Sequence, residues 1–397
     1  MIIDYFRLTD DKAEIRSIAE RLVKEVHVSD KCGTKLLYTP QRLQRLRERI
    51  LRFAPDISSE EQEEMLWLFI YDYWAFGCSV DEEFYLGLIH KTAEEKQEYM
   101  LMHFLQIYAN HLNQDAGPDR VDQLGDKYRL YQRLKPYYKR EAMELRGEDD
   151  YETFVAFAKK HDVFVVKPAD FSRAIGVHKA SAKEYGGDYR AMMEAILREG
   201  QAIHEKHPSK DSRMILEELI RQDASLDRLY SDSDSVNVIR ATAVRGKDGK
   251  IHIYHPWIKV GINGSFAAAA MEDGFVAEID PCTGIIISDG YQGTGGIFQF
   301  HPNSGIPIKG FQIHRWDELV AMVQELMDQL PEFGYIGWDL ALTPEGWCVV
   351  EGNYAGQFTY QLMNSRGYRR EFEKLIGWKL ETEFWWERSD HYTLIQP

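Results

Sequence analysis

The stretch "YIGWDLALTPEGWCVVEGN", residues 335–353, constrains the fold more than any other part of the chain. "YIGWDLAL" and "WCVVEGN" are rich in β-forming residues, and "TPEGW" between them carries the Pro and Gly of a turn. The stretch therefore predicts an antiparallel hairpin with a loop of about five residues. Pairing Leu342 with Cys348 brings Leu340 opposite Val350 and Asp339 opposite Glu351. Side chains alternate across a strand. One face then carries Ile336, Trp338, Leu340, Leu342, Cys348 and Val350, and the other Gly337, Asp339, Glu351 and Asn353. A carboxylate in a buried strand is costly unless something positive meets it. Three oxygen-bearing side chains beside a glycine match a hard cation such as Mg²⁺, which takes one or two carboxylates and completes its shell with phosphates and water. A pair of edge acids salt-bridged to lysine or arginine is the alternative, and the hairpin alone leaves both open.

Composition narrows the classes. The 397 residues accommodate two or three structural units, with 44% hydrophobic and 28% charged residues as in ordinary globular chains. A formal net charge of −16 argues against nucleic acid or anionic lipid as a general partner, while a local basic pocket for a phosphate ligand is compatible with it. Cys32, Cys78, Cys282 and Cys348 show no ligand spacing and fit reduced thiols of a cytoplasmic protein. The opening "MIIDYFRLTDDKAEIRSIAE" has acids where a signal peptide carries a basic head and an apolar run. "MLWLFIYDYWAFG" is too short to span a bilayer, contains Asp72, and reads as a buried core helix.

Residues 11–110 read as helical: Ile15, Ile18, Leu22 and Val23 share one face, and Leu43, Leu46, Ile50 and Leu51 another. "SSEEQEEMLWLFIYDYWAFG" has a helix-start signature and stops at Gly77, and "TAEEKQEYMLMHFLQIYANHLN" predicts one helix opened by Thr92 and Glu95. Beyond residue 127, "DVFVVKP", "RMILEELI", "SVNVIRATAV" and "KIHIYHPWIKVG" predict strands, and three amphipathic stretches between and after them predict helices, which makes the chain α+β. The glycine-rich residues 289–310 read as loop.

Four further positions bear on the two acids. Lys167 ends a buried β-run in "FVVKP" and can aim its ammonium at a phosphate, or snorkel to the surface. In "ADFSRAIG", Ser172, Arg173 and Gly176 offer a phosphate-covering loop that is poor in glycine. Glu217 and Glu218 in "ILEELI" either take a nucleotide's amino or ribose groups at a hinge or are solvated. Arg240, inside an apolar strand, asks for a buried anion.

The order "VVKP", "ILEELI", "SVNVIR", "IGWDLAL", "VVEGN" resembles the ATP-grasp superfamily, and within it the sugar-transfer-associated ATP-grasp proteins of bacterial surface-polysaccharide gene clusters. The narrower likeness extends to Asp72, Tyr73, Phe76 and Gly77, to Asp126, Lys127 and Tyr128, and to His301, Pro302, Gly305, Gly310, Trp316 and Glu318. It implies two α+β lobes clasping ATP, over residues 126–222 and 223–397, preceded by a helical subdomain over 1–125. By the same likeness Lys167 contacts the nucleotide phosphates, with Lys127 as a second candidate and Ser172 and Arg173 in the phosphate loop. Glu217, Glu218, Leu219 and Ile220 line the adenine hinge. Asp339, Glu351 and Asn353 hold one or two Mg²⁺ (or Mn²⁺) ions, and Arg240 neutralises the transferred phosphoryl group.

The activity implied is an ATP-dependent carboxylate–amine, or carboxylate–thiol, ligase that forms an acyl phosphate and releases ADP and phosphate. Its substrates are small molecules, and the resemblance points to a surface-polysaccharide precursor or small peptide. A kinase for a hydroxyl of a sugar or small molecule is the alternative, and a non-catalytic nucleotide-binding partner of a glycosyltransferase the third reading. Either a glycosyltransferase or a second copy is a candidate protein partner. Where relatives carry Asp-Asn and paired glycines this chain has "FAAAAMEDG", which leaves the acceptor unspecified. On this reading Asp339→Asn and Glu351→Gln abolish turnover and spare the fold.

Overall fold

The computed structural model describes residues 3–30, 33–170, 176–208, 211–230, 236–265, 273–293, 295–356, 360–388 and 393–395. Two antiparallel sheets carry the α+β part. The first orders β3 (Ala142–Leu145), β6 (Met214–Glu218), β4 (Phe164–Pro168) and β5 (His178–Ala180) side by side. Helices Tyr151–Lys160 and Tyr189–Lys206 contribute Phe154, Phe157, Met192 and Ile196 to its core, against Phe164, Val166 and Leu216.

The second sheet has seven strands in the order β11-β10-β9-β8-β7-β12-β13. These are β7 (Val238–Arg245), β8 (Ile251–Gly261), β9 (Gly274–Glu278), β10 (Gly290–Tyr291), β11 (Ile297–Phe298), β12 (Tyr335–Thr343) and β13 (Gly346–Asn353). One face buries Ile239, Ala241, Ile258, Val260 and Leu340 with Leu319, Val323 and Leu326 of helix Trp316–Gln329. The chain passes between the sheets over residues 219–222, after which the Asp223 N–H donates to the Leu342 carbonyl at 2.9 Å. Strands β10 and β11 lie inside the glycine-rich stretch expected to be loop; at two residues each, they are too short to leave a period in the sequence.

In the N-terminal region, helices Lys12–Glu25, Pro40–Phe53 and Ser59–Phe76 follow the apolar spacing. Ser58 and Glu61 form a capping box at the start of the third, and Gly77, at φ 68°, ends it in the left-handed conformation. Two expectations fail. Residues 27–36 include strands β1 (His27–Asp30) and β2 (Gly33–Leu36), and β1 also pairs with β14 (Thr393–Ile395), a partner too remote in sequence for local pattern to reveal. The helix expected from Thr92 onward is two, Ala93–Gln97 and Met102–Leu112. The break has a cause: the buried Gln361 side chain accepts from the Met100 N–H at 2.8 Å and donates to its carbonyl at 3.0 Å, taking backbone groups a continuous helix would use.

This region packs on the other face of the seven-stranded sheet. Phe372 stacks edge-on with Tyr108, Tyr254 and Tyr335, joining the helices, the sheet and the C-terminal segment in one core. Buried Asn113 fastens the seam, accepting from the N–H groups of Gly334 and Tyr335 and donating to the Tyr335 carbonyl at 2.8 to 3.0 Å. Asn113→Ala removes these bonds and leaves buried groups unmet, so the unfolding free energy should fall by about 2–4 kcal/mol in urea titration. An unchanged midpoint would contradict the seam.

Candidate active site

Strands β12 and β13 join through Pro344 and Glu345 alone, with Thr343 opposite Gly346, so the turn is shorter than the five residues expected. Gly346 sits at φ 111°, and a Cβ there would come within 2.6 Å of Lys139 Nζ. From this turn Leu342 faces Trp347, Ala341 faces Cys348 and Leu340 faces Val349, one residue away from the predicted register. A bulge at Val350 restores the alignment, and Asp339 lies opposite Glu351 and Gly337 opposite Asn353, as expected. Trp347 and Val349 consequently take the core positions predicted for Cys348 and Val350.

The sheet register extends this pair into a row. Glu278 is opposite Trp257, Trp257 opposite Arg240, Arg240 opposite Asp339 and Asp339 opposite Glu351, across β9, β8, β7, β12 and β13. Arg240 grips Asp339 with two bonds, Nε to Oδ1 at 2.5 Å and Nη2 to Oδ2 at 3.1 Å. Lys259 Nζ adds a third, to Oδ2 at 2.8 Å. Burial alone would raise the Asp339 carboxyl's pKa, but the charges of Arg240 and Lys259 outweigh it and hold the group well below the usual carboxylate range. The guanidinium is admitted by a second glycine: a Cβ at Gly356 would lie 2.9 Å from Arg240 Nη1.

The four-stranded sheet repeats this arrangement. Val165 is opposite Glu217 on β4 and β6, which places Lys167 diagonally across from Glu217 on the same face. Lys167 Nζ lies 2.7 Å from Glu217 Oε1, and Arg140 Nε and Nη2 lie 3.1 and 3.0 Å from Oε2. Burial opposes ionisation of Glu217, yet these two cations bring its pKa to about 2. Arg140 also donates to the Val349 carbonyl at 2.5 Å, beside the bulge, and so ties one sheet to the other. Lys127 begins helix Lys127–Arg133, which Asp126 caps by accepting from the N–H groups of Tyr128 and Arg129. Its pKa is lowered to about 8, first by burial and then by the charge of Lys167, against the opposing pull of Glu351, Glu217 and Asp170.

The expected site residues thus fall into two charged groups. Asp339, Arg240, Glu351 and Asn353 share one sheet face, and Lys167 and Glu217 the other sheet. The Glu217 side chain is committed to Lys167 and Arg140 rather than free for a base, while half-buried Glu218, Leu219 and Ile220 lead into the crossing between the sheets. Ser172, Arg173 and most of "FAAAAMEDG" lie outside the described residues. Histidines in this half of the chain have partners of their own: His255 bridges Glu278 and Glu371, His252 pairs with Asp248, and His301 meets the Gly261 carbonyl. Two residues escaped the sequence reading. Lys259 carries the same signal as Arg240, a cation inside an apolar strand, whereas Arg140 carries none.

The family model described as sugar-transfer associated ATP-grasp matches residues 138–376, a span that holds both charged groups. The chain belongs to this ATP-grasp family. No curated protein sequence matches it. Similar solved structures include a D-alanyl-alanine synthetase A from Vibrio cholerae, at 12% identity and TM-score 0.36, with 63% of this chain and 66% of that one covered. A D-Ala:D-Ser ligase from Enterococcus faecalis gives 14%, 0.37, 64% and 61%, and an ADP complex of N5-carboxyaminoimidazole ribonucleotide synthetase gives 10%, 0.39, 71% and 59%. The chain spans no more than about two thirds of the length of these structures.

Mg²⁺ is typical of ATP-grasp proteins, and the donor set here suits it. Asp339, Glu351 and Asn353 offer two carboxylates and a carboxamide, with Asn353 Nδ2 3.3 Å from Glu351 Oε1 and 3.2 Å from the Gly337 carbonyl. Both Asp339 oxygens are already engaged, and among the described residues no three His, Cys, Asp or Glu side chains converge as a metal cage. The set fits an ion that arrives with phosphates, not one held by protein alone.

The depressed Lys127 gives a pH test. If nucleotide phosphates lie beside Lys127, as the family likeness implies, they favour its protonated form, and binding draws in a proton wherever the lysine is neutral beforehand. The affinity for Mg–ATP should be full below pH 8 and decline above it, and Lys127→Met should flatten that decline in calorimetric titrations.

Proposed function

We propose that this ATP-grasp protein is an ATP-dependent carboxylate–amine or carboxylate–thiol ligase, working on a surface-polysaccharide precursor or small peptide. The observation that carries the reading is the in-register row Glu351–Asp339–Arg240, with Lys259 beside it and Lys167 and Lys127 on the facing elements. On this reading residues 126–222 and 223–397 are the two lobes, residues 1–125 the helical subdomain, and Glu217 to Ile220 the adenine hinge, with backbone groups taking the base because the Glu217 side chain is paired.

The chemistry follows from the charges. A substrate carboxylate must approach the γ-phosphorus of ATP against strong repulsion. Lys167 and Lys127 take phosphate oxygens, and Arg240 and Lys259 neutralise the group in flight. Bound at Asp339, Glu351 and Asn353, Mg²⁺ would supply further charge neutralisation. The carboxylate oxygen bonds to phosphorus as the bond to ADP breaks. The amine or thiol then adds to the acyl carbon, phosphate departs, and the nucleophile's proton passes to solvent. The chain's part is to position and to neutralise, with no side chain assigned as base.

Hydroxylamine added as a stand-in amine, with Mg–ATP and fractionated bacterial small molecules, should yield a hydroxamate together with ADP. ADP with a product heavier by one phosphate would overturn the ligase and leave a kinase. Glu351→Gln should lower turnover by about 100-fold or more while keeping the thermal midpoint. Asp339→Asn should also destabilise the fold, by about 3–5 kcal/mol, because it strips the buried Arg240 guanidinium and the half-buried Lys259 ammonium of their counter-charge. An Asp339→Asn variant as stable as the parent would contradict the ion cluster.

A further inference from the structure

Trp257 stands second in the row, opposite Glu278 on one side and Arg240 on the other. It is 3% exposed, and its indole N–H meets no hydrogen-bond partner among the described residues. Most buried donors in folded chains are met, and other indoles here are: Trp74 reaches Tyr38, Trp316 the Pro281 carbonyl, Trp347 the Arg315 carbonyl and Trp385 the Tyr73 carbonyl. Trp67 and Trp338 share the unmet N–H, and Trp257 is itself a member of the core on its sheet face; what marks Trp257 is the pair of cations beside its ring.

The surroundings of Trp257 are charged. The Arg240 guanidinium carbon lies 5.4 Å, and the Lys259 ammonium 5.5 Å, from its ring centroid. Thr242, two residues beyond Arg240 on the same strand face, has a buried hydroxyl that is likewise unmet. Guanidinium, ammonium and indole N–H all donate and none accepts. What this group calls for is an acceptor carrying negative charge. Asp339 meets the two cations but not the indole.

We infer that Trp257 is a substrate-binding residue whose N–H holds one oxygen of a carboxylate, keeping it beside Arg240 and Lys259. The inference rests on the ligase reading, for which this is the carboxylate to be activated. Glu278, on the far side of the ring, does not bar an anion from the site, because His255 Nδ1 lies 2.7 Å from its Oε1 and is protonated more readily than a free histidine: burial works against that charge, and the bonds to Glu278 and Glu371 overcome it.

The test reads the indole directly. In ¹H–¹⁵N spectra of the full chain labelled at tryptophan, the Trp257 indole peak is the one missing from Trp257→Phe, which keeps the ring's apolar packing and deletes the donor. Acetate, titrated with Mg²⁺ and a non-hydrolysable ATP analogue at constant ionic strength, should move that peak downfield and to saturation, with the Trp67 and Trp338 peaks unmoved. A Trp257 peak indifferent to acetate overturns the inference. So does one that moves with inorganic phosphate and not with acetate, which would give the N–H to the phosphoryl group instead. The two readings fail separately. Hydroxamate formation with a silent Trp257 peak leaves the ligase and removes this site, while a responsive peak in a chain that makes no hydroxamate keeps the site and removes the ligase.

Discussion

The ion cluster of Asp339, Arg240 and Lys259 is the interaction around which the structure is arranged. Its acid is 3% exposed and its guanidinium 7%, on adjacent strands of the larger sheet. Charges taken this far from water gain little net stability over apolar side chains of the same size, while removing one member is severe. Such a cluster is costly as scaffold and makes sense as equipment. It also dictates its neighbourhood. Gly356 leaves room for the guanidinium, Gly337 lets the Gly356 backbone come close, β7 and β12 pair with Arg240 directly opposite Asp339, and aromatic residues from the N-terminal helices and the C-terminal segment seal the rest of that sheet face.

The facing sheet holds a second acid between two cations, Glu217 between Lys167 and Arg140. In each cluster one cation sits deep while the other lies more open or can be shared: Lys259 is 19% exposed, and among the described residues Lys167 is paired with one carboxylate oxygen, Glu217 Oε1. Phosphates arriving between the sheets would compete for these cations, and an ion arriving with them would compete for Asp339. On the proposed reading the resting ion pairs would act as placeholders, keeping each charged group solvated by protein until nucleotide arrives. Arg140 joins the two clusters mechanically, since its guanidinium bonds Glu217 on one sheet and the Val349 carbonyl on the other.

Much of this was legible in the sequence where local chemistry and position coincide. A buried strand with an acid in it, and another with an arginine, pointed to the row, and the Asp339–Glu351 pairing emerged from alternation alone. The same alternation misassigned Cys348 and Val350, because a two-residue turn and a compensating bulge leave no trace in periodicity and their errors cancel only beyond Val350. The break at Met100 depends on Gln361, and β1 depends on β14, contacts made across most of the chain. Glu217 shows the limit most clearly. Its place at a strand end fitted a nucleotide hinge equally well, and only the diagonal approach of Lys167 and the reach of Arg140 reveal it as their counter-ion.

The central claim is that nucleotide completes a metal site whose principal acid is otherwise engaged by Arg240 and Lys259. The most direct measurement is the free Mn²⁺ signal in electron paramagnetic resonance, recorded as the full chain is titrated with and without a non-hydrolysable ATP analogue, in the parent and in Glu351→Gln. The account predicts little Mn²⁺ uptake by the protein alone, uptake by the ternary mixture beyond what the analogue binds by itself, and loss of that increment in the variant. Tight Mn²⁺ binding without nucleotide, or an increment that survives Glu351→Gln, would contradict it.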